Sequence, residues 1–271
     1  MPSFFILRDM KYKYYQVDAF ASEVFKGNPA GVIFSEINDE QLMQKIALEN
    51  NLSETAFISQ RNNEYFIRWF APLCEVNLCG HATLAAAYIF FNYIDKNAQE
   101  FCVNSKSGKL KVTKNEDRYF LDFPQDNLKP YDDFDLIEKV VGIKPKELFK
   151  GRDDILAIFD NELDIHDINP NFEMLSDITT RGLIVSAQSK EYDFISRCFF
   201  PGAGVNEDPV TGSAHTTLVP YWTKILNKRN LLAKQVSERG GLLYCEMSTD
   251  RVIIGGSAVL FLIGEIELNF D

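Results

Sequence analysis

Two segments in different halves of the chain share one order of landmarks. RWFAPLCEVN occupies 68–77 and RCFFPGAGVN occupies 197–206, so both contain R-x-F-x-P and both end in Val-Asn. Two residues after each Asn stand Cys79 and Asp208, and each copy then reaches a glycine that opens an apolar stretch. Ordered agreement of this kind is typical of an internal repeat. We therefore predict two similar halves.

The apolar stretches predict one buried helix in each half. Residues 81–91 are rich in alanine, apolar nearly all round and free of helix breakers, which is typical of a buried helix. The second stretch opens at Gly212 and Ser213, which we place in the turn and first turn of a helix that runs to about Leu226. The predicted fold class is α+β, with two pseudo-symmetric domains, each a mostly antiparallel sheet or barrel wrapped around a central apolar helix.

The boundary between the two domains is predicted from a change in composition. Residues 125–150 are polar and punctuated by proline, with one short helix expected around 134–141. We place the domains at 1–125 and 126–271, with the C-terminal strand near 260–271 as a candidate to return to the first domain. The closing strands are predicted at 232–243, 251–254 and 258–268.

The starts of the two helices are expected to bind an anion. The N–H groups in the first turn of a helix have no partner within the helix, and this end carries partial positive charge. A pseudo-two-fold axis would let the starts at Gly80 and at Gly212 and Ser213 face each other across a cleft between the domains. Such a cleft suits one small anionic substrate.

Three residues near these helix starts are candidates for chemistry, and each has a simpler interpretation. Glu54 lies where a polar segment becomes an apolar strand, so it is a carboxylate beside buried surface or a solvated loop residue. His81 stands where the helix dipole disfavours a protonated ring, as a reacting group or as a helix-capping histidine. Cys79 is matched to Asp208 by the repeat, as a thiol base or as a small buried side chain.

The other two histidines are expected to have no part in the chemistry. His166 lies in a loop-rich segment and is predicted to be a surface residue. His215, one turn into the second helix, is predicted to be structural.

Composition excludes several classes of partner. The formal net charge is −11, and without a basic cluster this charge repels nucleic acid and anionic membranes. The five cysteines include no CxxC pair, which disfavours zinc sites and disulfides. The start of the chain lacks the pattern of a signal peptide, and no apolar run is long enough to span a bilayer. We predict a reduced cytoplasmic protein with no metal.

Six segments, taken together, carry a family resemblance. They are QVDAF, GNPAGV, LSETAF at 52–57, LCGHATLAAA at 78–87, EDPVTGSAH at 207–215 and SERGG at 237–241. In this order the chain resembles the PhzF-like phenazine biosynthesis proteins, which share the diaminopimelate epimerase fold. The pair CGHAT and EDPVTGSAH is specific, and the segments span nearly the whole chain.

The resemblance implies roles for the residues in these segments. Glu54 would be the principal acid/base, with His81 and Asp208 as its partners, and Gly80 and Ser213 would be helix-end residues near the substrate. The predicted site residues are Glu54, His81 and Asp208 for catalysis, and Cys79, Gly80, Gly212 and Ser213 for substrate binding. The resemblance also implies an isomerase that needs no cofactor, and a homodimer.

We therefore predict a cofactor-independent isomerase that moves a carbon-bound proton on a small carboxylate or amino-acid-like substrate. Glu54 is its predicted general acid/base in an interdomain cleft. Two alternatives stay open. Cys79 and Asp208 form a two-base pair in an amino-acid epimerase, because paired cysteines hold these positions in the epimerase branch of the fold. Alternatively, the protein binds a small ligand or a partner without turnover.

Overall fold

The computed structural model describes residues 10–178 and 181–268, so the outer ends of both predicted domains and the last residues of the predicted strand 260–271 lie outside the described residues. The helices are α1 Glu40–Asn50, α2 Gly80–Ile89, α3 Phe134–Val141, α4 Glu162–Asp167, α5 Phe172–Ile178 and α6 His215–Leu226. The first strands are β1 Met10–Ala19, β2 Asn28–Phe34, β3 Glu54–Arg61, β4 Glu64–Phe70, β5 Glu75–Val76, β6 Glu100–Ser105, β7 Gly108–Asn115, β8 Arg118–Pro124 and β9 Lys129–Pro130. The later strands are β10 Glu147–Lys150, β11 Asp154–Phe159, β12 Gly182–Gln188, β13 Phe194–Phe200, β14 Val205–Asp208, β15 Asn230–Gln235, β16 Gly241–Ser248 and β17 Arg251–Leu268.

Helix α2 is buried on every side. It packs against β1, β2, β3, β8 and β17, and nine of its ten residues are buried. Three consecutive alanines, 85–87, let the strands approach the helix axis closely, and the absence of a polar face leaves no side for water. The helix continues as a π-helical turn, Phe90–Ile94, so the predicted helix at 81–91 is confirmed and extends further.

The two halves share an order of strand pairing. In the first half, β2 and β3 are parallel across α1, and β4 then pairs antiparallel with β3. In the second half, β11 and β12 are parallel across α4 and α5, and β13 pairs antiparallel with β12. A parallel pair requires a long crossover, which the helices supply.

The R-x-F-x-P pattern makes the same contact in both halves. Arg68 Nε donates to Glu75 at 2.7 Å, and Arg197 Nε donates to Glu207 at 2.8 Å. Each guanidinium also lies over the phenylalanine ring two residues later, at 5.0 Å and 4.8 Å from the ring centroid. The arginine therefore ties each short strand that precedes a helix start to the strand before it.

Strand β17 joins the two halves. Residues 251–257 pair with β8, and residues 251–255 also pair with β16. Residues 258–268 pair with β1, with a bulge between Gln16 and Val17. The two strands predicted at 251–254 and 258–268 are thus one strand.

Two further sequence predictions are wrong in detail. The strand predicted at 232–243 is two strands, because a turn with Gly240 at φ +64° separates β15 from β16. Gly212 lies in a turn, as predicted, but Ser213 belongs to the same turn rather than to the first turn of α6, which begins at His215. The short helix predicted at 134–141 is confirmed as α3. Among the residues described, no helix combines the length and the apolar character needed to cross a membrane.

Candidate active site

The starts of α2 and α6 meet at two glycines. A Cβ atom added to Gly80 would lie 3.4 Å from the Cα of Gly212, and one added to Gly212 would lie 3.5 Å from the Cα of Gly80. These distances are those of ordinary van der Waals contact, so the two backbones approach until there is room for little more than a methyl group between them.

The N–H groups of both helix starts are available for a ligand. In α2 the first helical bond runs from Thr83 N–H to Cys79 O, at 3.3 Å, which leaves the N–H groups of residues 80–82 before it. Ahead of α6, bonds from the N–H groups of residues 215–217 to the carbonyls of residues 212–214 tighten the turn, each at 3.1 Å. These bonds do not use the N–H groups of residues 212–214. The N–H groups of the two helix starts that these bonds do not use therefore lie on either side of the contact between Gly80 and Gly212, which suits an anion.

Glu54, the first residue of β3, is a largely buried carboxyl group. Its partner in the parallel ladder is Ala30 of β2, and its Oε2 atom lies 3.2 Å from His81 Nε2, with 19% of the Glu54 side chain exposed. The approach lies outside hydrogen-bond geometry, so both atoms are buried without a hydrogen-bond partner. Burial, aided by the charge of Asp208, raises the pKa of Glu54 to about 8.

His81 is a neutral imidazole. Its Nδ1 lies 3.2 Å from Asn28 Nδ2 and 3.5 Å from Cys79 Sγ. The two hydrogens of Asn28 Nδ2 go to Asp208 and Val210 at shorter distances, so the thiol of Cys79 is the group that donates to Nδ1. Nε2 therefore carries the ring hydrogen, facing Glu54. Burial lowers the pKa of His81 to about 3, and the ring therefore acts as a hydrogen-bond donor rather than as a cation.

Asp208, the last residue of β14, lies in a network of hydrogen bonds. Its Oδ1 accepts from Asn28 Nδ2 at 2.8 Å, and its Oδ2 accepts from Thr211 Oγ1. Burial raises the pKa of Asp208 to about 6, and the bonds from Thr211 and Asn28 oppose this rise. Near neutral pH, Asp208 is therefore ionised while Glu54 holds a proton.

Cys79 is a protonated thiol in the core of the site. Burial, followed by the charge of Glu54, raises the pKa of Cys79 well above its usual value. The donor atoms of Glu54, Cys79 and His81 lie within 4.8 Å of one another, close enough to hold a metal ion. A metal would require the thiolate, which the surroundings of Cys79 oppose.

Asn28 and Gln235 are site residues that the sequence reasoning missed. Asn28 is fully buried and donates to Val210 O at 2.9 Å as well as to Asp208. Gln235 donates to Asp208 O at 2.7 Å and accepts from Thr211 N–H at 2.8 Å. The segment GNPAGV contained a signal for Asn28, whereas nothing in the sequence around Gln235 indicates its role.

Ser213 lies beside a third missed residue, Arg181, and a small cavity. Arg181 Nη1 donates to Ser213 Oγ at 3.1 Å. The cavity measures about 260 Å³, and its walls include Leu78, Ser213, two arginines and three aspartates, namely Arg152, Arg181, Asp126, Asp153 and Asp154. It thus adjoins the starts of both helices, since Leu78 precedes α2 and Ser213 precedes α6.

The two remaining histidines lie as the sequence predicts. His166 is exposed, in α4 rather than in a loop. His215 is fully buried, and its Nδ1 lies 2.8 Å from Thr211 O, so it donates to that carbonyl and helps to hold the turn before α6.

Comparisons with known proteins assign the chain to a family. The PhzC-PhzF family, described as phenazine biosynthesis-like protein, matches residues 17–264. An uncharacterised isomerase from Pseudomonas aeruginosa is 44% identical over 96% of this chain and 100% of its own length. A crystal structure of a PhzF-family protein from Enterococcus faecalis superposes with a TM-score of 0.93 and 48% identity, covering 96% of this chain and 100% of that one.

A more distant structure shows how far the fold extends. A hydroxyproline epimerase from Agrobacterium vitis, solved with bound trans-4-hydroxy-L-proline, superposes with a TM-score of 0.63 over 96% of this chain and 93% of its own, at 8% identity. At that identity the likeness concerns the fold, which is that of the epimerase-like proteins. The sequence match and the close structural relative lead to one conclusion: this chain belongs to the PhzC-PhzF family of phenazine biosynthesis-like proteins.

Proposed function

We propose that this protein is a cofactor-independent isomerase that moves a carbon-bound proton on a small carboxylate or amino-acid-like substrate. Relatives that are called isomerases support an isomerase or epimerase activity. The observation that carries the proposal is the pair of carboxyl groups with separated pKa values, about 8 for Glu54 and about 6 for Asp208, beside two meeting helix starts. Groups separated in this way supply an acid and a base at the same pH.

The reaction requires stabilisation of negative charge. A proton on the carbon next to a carboxylate is weakly acidic, and its removal spreads charge onto the carboxylate oxygens. The N–H groups at the starts of α2 and α6 bind those oxygens and stabilise the charge as it develops. In one direction Asp208 removes the proton and Glu54 delivers another, and in the reverse direction their roles exchange.

His81 and Asn28 support this transfer. The Nε2–H group of His81 faces Glu54 and stabilises the carboxylate that remains after Glu54 has given up its proton. Asn28 donates to Asp208 and lies beside His81, so it connects the base Asp208 to the ring that faces the acid Glu54. Proton transfer between a carboxyl group and carbon changes no oxidation state, so the proposed reaction requires no redox partner.

The experiment is deuterium incorporation from D₂O into a panel of amino and hydroxy acids, followed by mass spectrometry. We expect the wild type to place deuterium at the carbon next to the carboxylate of at least one panel member, even without net product. An Asp208→Asn/Glu54→Gln variant is the inactive control. If the wild type exchanges no panel member although it binds carboxylates, the ligand-binding alternative is favoured.

The homodimer implied by the resemblance is part of the proposal. Consecutive apolar residues of β17, Phe261, Leu262 and Ile263, are exposed, and the Phe25 ring packs on Phe261 at 5.6 Å. An exposed apolar patch of this kind is typical of an interface, and we assign a second copy of the chain as its partner. Light scattering on the wild type and on Phe261→Glu is expected to give a dimer and a monomer respectively.

A further inference from the structure

Arg181 connects a buried carboxylate to the start of α6. Its Nε donates to Asp154 Oδ1 at 2.7 Å, and its Nη2 contacts the other carboxylate oxygen. Asp154 is only 4% exposed. The guanidinium lies 4.9 Å from the ring centroid of Phe200, and its remaining nitrogen, Nη1, reaches Ser213 Oγ. The two-point ion pair and the ring hold the guanidinium in one orientation.

This contact sets the direction of the Ser213 hydroxyl. Arginine has no acceptor, so the bond can only run from Arg181 to a lone pair on Ser213 Oγ. The single hydroxyl hydrogen of Ser213 then points away from Arg181, and it is donated to no other group among residues 10–178 and 181–268. Ser213 borders the cavity of about 260 Å³ beside the helix starts. A donated hydrogen bond from a cation also makes the hydroxyl a stronger donor.

We propose that Arg181, held by Asp154, is a positioning residue that orients the Ser213 hydroxyl as a donor to the anionic group of the substrate. This inference rests on the proposed assignment of Ser213 to the substrate, and it deepens that assignment. The anionic group is a carboxylate that receives the Ser213 hydroxyl together with the N–H groups of the helix starts. Arg181 acts through Ser213 and makes no contact of its own with the anion.

The test uses inorganic sulfate as the probe anion and isothermal titration calorimetry at constant ionic strength, with chloride as the balancing salt. Arg181→Gln alone would leave the Asp154 carboxylate buried without its cation. The variant therefore removes both charges, as Asp154→Asn/Arg181→Gln. It is compared with Ser213→Ala and with the combination of all three changes. Sulfate binding needs no turnover, so this test can succeed or fail independently of the exchange reaction.

We expect Asp154→Asn/Arg181→Gln and Ser213→Ala each to weaken sulfate binding about tenfold, the effect of one charge-assisted hydrogen bond. The combination is expected to weaken it no further than about tenfold, because both changes remove the same contact. An additive loss of about a hundredfold would mean that Arg181 touches the anion itself. Either that result or unchanged binding in Asp154→Asn/Arg181→Gln would overturn the proposal.

The matched control is Arg152→Gln, which removes a cation from the wall of the same cavity but has no bond to Ser213. Its sulfate affinity is expected to stay within about twofold of the wild type. A loss as large as that of Asp154→Asn/Arg181→Gln would point to a general effect of charge and overturn the proposal.

Should the wild type bind no sulfate, crystal structures of the wild type and of Asp154→Asn/Arg181→Gln test the proposal through the rotamer of Ser213. Ser213 keeps one rotamer in the wild type and spreads over several in Asp154→Asn/Arg181→Gln, and an unchanged single rotamer in the variant would reject the proposal.

Discussion

The two halves of the chain place their carboxyl group at different positions relative to the helix start. In the second half, Asp208 stands at the position given by the repeat and receives hydrogen bonds from Asn28 and Thr211. In the first half, the matched residue is Cys79, a buried thiol whose pKa is raised well above its usual value. The carboxyl group on that side comes from Glu54, on a different strand.

This difference shows that the repeat preserves the order of landmarks along the sequence rather than their chemistry. Cys79 lies directly before α2, whereas the turn of residues 209–214 separates Asp208 from α6. Hydrogen bonds from Thr211 and Asn28 oppose the effect of burial on Asp208, whereas burial and the charge of Glu54 outweigh the one backbone N–H that favours the Cys79 thiolate, so Cys79 holds its proton. The second half therefore contributes an ionised carboxylate at the matched position, whereas the first half contributes a protonated thiol there and its carboxyl group from another strand.

The largest expected effect follows from removing the carboxylate of the second half. Asp208→Asn keeps the shape of the side chain but cannot take a proton, so the rate of deuterium exchange should fall about 10²–10⁴-fold, the usual contribution of a general base. The measurement is the initial rate of exchange into the best panel substrate. The control is the neighbouring Glu207→Gln, whose side chain pairs with Arg197 outside the site. Wild-type exchange in Asp208→Asn would remove Asp208 from the mechanism.

A second prediction concerns the burial of Glu54 on the other side. Its pKa in the folded protein, about 8, exceeds the ordinary value of 4.5, so the folded state binds more protons than the unfolded state between these pH values. Stability due to Glu54 is therefore present below about pH 4.5 and is lost as the pH rises to about 8. Glu54→Gln removes this loss, and it should be more stable than the wild type at pH 8 by about 4 kcal/mol.

Urea denaturation at about pH 5 and about pH 8 measures this effect. At the lower pH the two proteins should differ by less than about 1 kcal/mol. The matched control is Glu64→Gln, at an exposed glutamate that begins β4, and it should track the wild type at both pH values. Equal stability of Glu54→Gln and wild type at both pH values would show that burial does not hold the proton on Glu54.

A smaller effect separates the two arginines of the repeated pattern. Arg197 is less exposed than Arg68, 14% against 26% of the side chain, and its Nη1 also donates to the carbonyls of Ile165 and Ile168. Losing Arg197 thus leaves more buried acceptors without a partner. We expect Arg197→Gln to lower the free energy of unfolding by about 3 kcal/mol and Arg68→Gln by about 1 kcal/mol. Equal losses in urea denaturation would contradict the unequal roles of the two pairs.

Much of the fold could be predicted because its signals are local. The alanine-rich run of α2 and the amphipathic stretch of α3 each specify a helix without reference to distant residues. The start of α6 was misplaced because one bond that holds the preceding turn comes from far along the chain, from Gln235 to Thr211 N–H. The other bond is local, from the buried His215 to Thr211 O. The glycine pair 240–241, in contrast, was a turn signal within the strand predicted at 232–243.

The sequence indicated candidate site residues by three separate signals. The position of Glu54 beside an apolar strand made it a candidate, the repeat paired Cys79 with Asp208, and the resemblance implied roles for Glu54, His81 and Asp208. Arg181 and Gln235 have no such pattern, because their roles depend on contacts with residues far along the chain, such as Asp154 and Asp208. Tertiary hydrogen bonds of this kind leave no periodic trace in a sequence.

The most direct measurement of the central claim compares Glu54→Gln with Cys79→Ala in the deuterium exchange assay. The claim is that Glu54, rather than the matched thiol, shares the proton with Asp208. We expect Glu54→Gln to lose about 10²–10⁴-fold in exchange rate, and Cys79→Ala to stay within about threefold of the wild type. The reverse result, with exchange kept in Glu54→Gln and lost in Cys79→Ala, would contradict the account and favour an epimerase that uses Cys79 and Asp208.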